Sequence, residues 1–100
     1  MPEALSDASR VLGERVRDAR LKHGLSQEDV ANLASINVSN YGKLERGLAN
    51  PTFHTLVRVA SVLNVDPATF VAGLSAKQLP ELPPSFSAAD YIREMRAREG

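Results

Sequence analysis

Between Asn37 and Gly47 the chain places hydrogen-bonding side chains at helical spacing. The pattern predicts a helix over about Val38 to Arg46, with Asn37 as its N-cap and Gly47 as its stop. Tyr41 and Leu44, at i and i+3, share one side of it. Val38, Ser39, Gly42 and Lys43 lie on the other. A short helix with small polar side chains outside and apolar ones inside fits a DNA major groove, which is about 12 Å wide. Catalytic chemistry has no comparable constellation. His23 and His54 are the only histidines, and neither stands in an H-x-x-x-H or H-E-x-x-H setting. Glu28 and Asp29 are adjacent, so a helix points them in different directions. The chain has no cysteine, which excludes disulfides and thiolate metal sites. The expectation is a protein that is not an enzyme and needs no cofactor or metal.

The flanking segments supply the elements that must hold that helix. Ser26 suits an N-cap, Asp29 completes a capping-box pair, and Val30, Ala31, Leu33 and Ala34 give a helix over about Gln27 to Ala34 its apolar face. Gly24, after Lys22 and His23, suits the residue that closes a preceding helix with positive φ. That first helix is predicted from about Ser9 to Lys22, with Leu12, Val16 and Ala19 inward, after a flexible tail over residues 1–8. Asn50–Pro51 forces a break, and Thr52 caps a helix over about Phe53 to Leu63. Asp66–Pro67 opens a last short helix, about Pro67 to Ala72, which ends at Gly73. The predicted core is Leu12, Val16, Leu25, Val30, Ala34, Ile36, Tyr41, Leu44, Phe53, Leu56, Ala60, Leu63, Val65 and Phe70. No strand pattern occurs.

The stretch from Leu25 to Gly47, LSQEDVANLASINVSNYGKLERG, together with the later NP and LNVDP, resembles the Cro/repressor-like, or XRE-type, helix-turn-helix family. The resemblance runs from about Val11 to Phe70. It implies an all-α, five-helix, lambda-repressor-like DNA-binding domain over residues 9–74. It also implies that Val38, Ser39 and Lys43 meet base edges, with Gly42 on the same face. Lys43 can donate to guanine O6 or N7, Ser39 can bond several bases, and Val38 can touch a thymine methyl. Gln27 matches a phosphate-binding residue that buttresses the second helix of the motif. Ser26, Asn37, Asn40 and Arg46 are further phosphate contacts on this reading, and helix N-termini assist them. Arg20 and Glu45 match an internal salt bridge. Plainer roles stay open: Gln27 and Asn37 also serve as cap and surface residues, and Lys43 as a solvated lysine. Two departures stand out. Gly42 lies inside a helix, at a cost of about 1 kcal/mol relative to alanine. Tyr41 replaces the usual aliphatic residue, so its hydroxyl needs a polar partner.

Size and charge set the remaining bounds. One hundred residues, 43% of them hydrophobic, suit one small domain with tails. No apolar run approaches the roughly 18 residues of a membrane span, and the N-terminus lacks the form of a signal peptide. A soluble cytoplasmic protein is expected, with no membrane partner. The net charge is zero, but residues 10–73 carry eight Lys/Arg against six Asp/Glu. So slight a positive charge implies modest non-specific DNA affinity, which dimerisation would offset. Residues 75–86, with prolines at 80, 83 and 84, read as an extended linker from Gln78 to Pro84. A helix over about Ala88 to Arg98, within a segment 87–100, follows. Its stripe of Tyr91, Ile92 and Met95 is narrow, and so short a helix must pack on something. The expected function is a sequence-specific transcriptional regulator, a repressor-type homodimer on double-stranded DNA with an inverted-repeat operator. The alternatives are an antitoxin whose C-terminal segment binds a toxin, or a protein-interaction module without DNA affinity.

Overall fold

The computed structural model describes residues 3–81 and 87–99. Its helices are α1 (Asp7–Lys22), α2 (Gln27–Leu33), α3 (Val38–Glu45), α4 (Phe53–Val62), α5 (Ala68–Val71) and α6 (Ala88–Glu99), with a 3-10 turn at Ala76–Gln78 between the last two. No strand occurs among the described residues. Side-chain caps start most of the helices. The Ser26 hydroxyl accepts the Asp29 N–H at 3.0 Å while the Asp29 carboxylate accepts the Ser26 N–H at 2.9 Å. Asn37 accepts from the Asn40 N–H at 3.2 Å, and Thr52 from the Thr55 N–H at 3.2 Å. At α5, Asp66 accepts from the Ala68 N–H at 2.9 Å.

The start of the chain differs from the expected free tail. Ser6 caps α1 by accepting the Ser9 N–H at 3.0 Å, so the helix begins at Asp7 and not at Ser9. Just before it, the Leu5 N–H donates to the Gly47 carbonyl at 2.8 Å. The expected extended stretch from Gln78 also changes. Gln78 ends the 3-10 turn, accepts the Ser75 N–H at 2.9 Å and donates to Asp7 at 3.2 Å. Pro83 and Pro84 lie outside the described residues.

The core forms where α1 to α5 meet. Leu12, Val16, Val30, Ala31, Ala34, Tyr41, Leu44, Val59, Ala60, Leu63 and Phe70 are buried. Leu25, Ile36, Leu56 and Val65 pack at its edge. One core assignment fails: Phe53 is 75% exposed. The inward stripe of α4 begins at Leu56, while Phe53, the first residue of the helix, stands in solvent, so matching periodicity does not bury it. Gly13 permits a tight crossing of α1 over α3. A side chain there would place its Cβ 2.4 Å from the Glu45 carbonyl oxygen and 2.5 Å from that of Leu44. No residue of α6 is buried.

Candidate nucleic-acid interface

The α2–turn–α3 unit carries the site. Its turn passes through Ser35, whose φ of 57° is left-handed, and closes with the Ile36 N–H on the Ala31 carbonyl at 2.8 Å. This sharp reversal sets α3 across α2. Tyr41 and Leu44 then face the core, while Val38, Ser39, Asn40 and Lys43 face solvent. Asn37 and Ser26 are exposed at the helix starts, and Arg46 is exposed at the end of α3. Asn37 and Ser26 use an oxygen for capping and keep donor hydrogens for another acceptor.

Beneath this face lies a closed polar network centred on Glu45. Arg20 grips the carboxylate with two donors, Nε to Oε2 at 2.7 Å and Nη2 to Oε1 at 2.9 Å. The Tyr41 hydroxyl donates to Oε2 at 2.5 Å, and Gln27 Nε2 donates to Oε1 at 3.0 Å. Arg20 spends a further donor on the Leu25 carbonyl at 2.9 Å. Burial pushes the Glu45 carboxyl up. The hydrogen bonds from Arg20, Tyr41 and Gln27 outweigh it and hold the group below the usual carboxylate range. Burial, and then the hydrogen bond to Glu45, lift Tyr41 far above the ordinary phenol range. Both groups are therefore locked in one state near neutrality. No buried side-chain polar atom among the described residues lacks a partner.

The network accounts for two positions that sequence left open. Tyr41 finds its polar partner four residues on, at Glu45. Gln27, half-buried, is tied to the buried end of α3 and so couples the start of α2 to that helix. One placement differs from expectation: Gly42 is buried, not on the outer face with its neighbours. The side chains of Arg46 and Gln27 cover it, at 3.1 and 3.4 Å from where a Cβ would stand. Helical spacing gives its direction, but it does not show that a long side chain folds back over the gap.

Sequence reasoning missed two supports. Arg15 donates to the carbonyls of Phe70 at 3.2 Å and Ala72 at 2.8 Å, closing the end of α5. His23 meets the Leu63 carbonyl at 2.7 Å and joins the ends of α1 and α4. Neither has a local signal, because the partners are backbone atoms distant in sequence. Among the described residues no group of three or more His, Cys, Asp or Glu could hold a metal ion. No helix among them is long and apolar enough to cross a membrane.

Known proteins resemble this chain in sequence and fold. A helix-turn-helix family model matches residues 16–70. An HTH-type transcriptional regulator derived from the SPbeta prophage of Bacillus subtilis is 33% identical over 67 residues, which is 67% of this chain and 62% of that protein. The control protein C.SmaI of Serratia marcescens is 36% identical over 67 residues, covering 64% of this chain and 80% of its own. Among solved structures, the restriction-modification controller protein C.AhdI from Aeromonas hydrophila superposes with a TM-score of 0.61 at 32% identity, over 62% of this chain and 94% of that one. The chain thus spans less than two thirds of the length of the Bacillus relative.

Proposed function

Because the chain belongs to the helix-turn-helix family, we propose that it is a sequence-specific DNA-binding transcriptional regulator, of repressor type, which works in the cytoplasm as a homodimer on an inverted repeat. The observation that carries this reading is the two-sidedness of α3. Its inner face is pinned through Tyr41, Leu44 and Glu45, and its outer face leaves Val38, Ser39 and Lys43 free to solvent. A recognition element needs both properties: rigidity behind, and unspent donors in front. On this reading Lys43, Ser39 and Val38 read base edges. Gln27, Ser26, Asn37, Asn40 and Arg46 hold phosphates around them, aided by the N–H groups at the start of α2. Glu28 and Asp29 in the first turn of α2 oppose phosphate, in keeping with modest non-specific affinity. The reading gives the chain no catalytic role and no cofactor.

Selecting binding sites from a random duplex pool tests the proposal, with affinity measured across a salt series. Recovery of a defined half-site and a falling log K with log salt are expected. Absence of salt-dependent binding would leave the fold with a protein-interaction role only. A second reading draws on α6, where Tyr91, Ile92 and Met95 are 57%, 49% and 40% exposed. That stripe suits docking on an apolar groove, of a second copy or of another protein, as an antitoxin would use it. Co-purification of a small partner with the whole chain, but not with residues 1–79, would favour the antitoxin.

A further inference from the structure

Gly42 occupies the interior of α3, where glycine is the poorest helix former after proline. The space above it is not empty. A Cβ at this position would stand 3.1 Å from Arg46 Nη1, 3.9 Å from Arg46 Cζ and 3.4 Å from Gln27 Oε1. All three atoms belong to side chains, and the guanidinium is the far end of a flexible one. A methyl group would therefore displace Arg46 without obstructing the backbone, so folding does not demand the glycine. Arg46 is the neighbour that must give way, by a few tenths of an ångström. This residue follows α3 as its C-cap, and its side chain runs back one turn, to the position of Gly42. The fixed charge there lies beside Gln27, the first residue of α2, whose amide nitrogen is already held by Glu45 at 3.0 Å.

We infer that Gly42 is a positioning residue: it leaves the space in which the Arg46 side chain folds back over α3 beside Gln27, so that these two side chains meet one DNA phosphate together. The inference rests on the DNA-binding reading above. It assigns the cost of a mid-helix glycine to affinity, so stability and binding respond to its replacement with opposite signs.

The test compares the intact chain with Gly42→Ala, Arg46→Ala and the double variant, by thermal melting and by binding to a mixed-sequence duplex over a salt series. Gly42→Ala is expected to raise Tm by about 4–8 °C, through helix propensity. Its affinity is expected to fall about three- to tenfold at every sequence, with the slope of log K against log salt reduced by up to about 1. The double variant should bind as Arg46→Ala alone does, because the methyl acts only through that arginine. A lower Tm for Gly42→Ala would assign the glycine to packing and overturn the inference. Unchanged affinity would overturn it too, as would a further loss in the Arg46→Ala background, which would mean that the methyl itself meets the DNA. If the unaltered chain shows no salt-dependent binding, the DNA-binding reading falls, and this one with it.

Discussion

On the DNA-binding reading proposed above, Lys43 and Gln27 have different tasks, and the difference is measurable. Lys43 is exposed on the outer face of α3, so Lys43→Ala should relax preference at one base pair per half-site by about 1–3 kcal/mol. Unchanged preference at every position in a selection experiment would remove it as a reader. Gln27 holds Glu45 from the start of α2 and on the proposed reading meets a phosphate there, so Gln27→Ala should weaken binding evenly across sequences. An effect confined to one base position would contradict that role. Glu45 is the residue on which the site's rigidity depends. Glu45→Ala should destabilise by about 3–5 kcal/mol, because Arg20 is then left charged and nearly buried without its partner. Its carboxyl is held below an unfolded value of about 4.5. The stability this contributes is present above that value and is lost as pH falls through the depressed folded one. Asp7, held down by Arg10, and Asp29, held down by the Ser26 cap, act in the same direction. Acid denaturation followed by circular dichroism should show this limb, and Glu45→Gln should flatten it.

Helices and turns show where a sequence is readable. Ser26–Asp29, Asn37 and Thr52 announce helix starts through oxygens that bond a backbone N–H three residues on, and the structure uses each for that purpose. Such signals are local, and so are the i, i+3 and i+4 stripes that bury Val30, Ala34, Leu44, Ala60 and Leu63. Phe53 satisfies the same stripe and is exposed, because periodicity records direction but not how far a helix extends beyond its neighbours. The outer face of α3 was legible for the same local reason. The fold-back of Arg46 over Gly42 and the four donors from Arg20, Tyr41 and Gln27 converging on Glu45 were not, because they depend on where other helices cross. Ser35 shows a related limit: nothing in its neighbourhood marks a left-handed residue, yet the turn requires one. A non-glycine residue there carries strain of about 1–2 kcal/mol. Ser35→Gly should relieve part of it and stabilise the domain by up to about 1 kcal/mol, after the added unfolded-state entropy of glycine. Urea melts at unchanged m-value are the check, and a destabilised variant would show that the serine side chain itself supports the turn.

On the proposed reading each chain offers one recognition helix, too few base contacts for useful specificity, and its net charge is zero. A homodimer on an inverted repeat should therefore show half-site centres about 34–36 Å apart. A selected site without a repeat, bound by one chain per duplex, would count against the dimer. If α6 contributes to that assembly, Ile92→Asp should lower dimer or partner affinity in sedimentation analysis while the melting of residues 1–79 stays unchanged. Equal association by intact and truncated chains would leave the stripe without that role. The bond from Gln78 to Asp7 has a consequence of another kind. It brings the end of the five-helix body back to its beginning, so the linear order of the helices is not a geometric necessity. A short polar bridge from residue 79 to residue 3, with new ends opened in the loop at Asn50–Pro51, defines a circular permutant. That rearranged chain should reach the same packed state and the same DNA affinity by a different folding route.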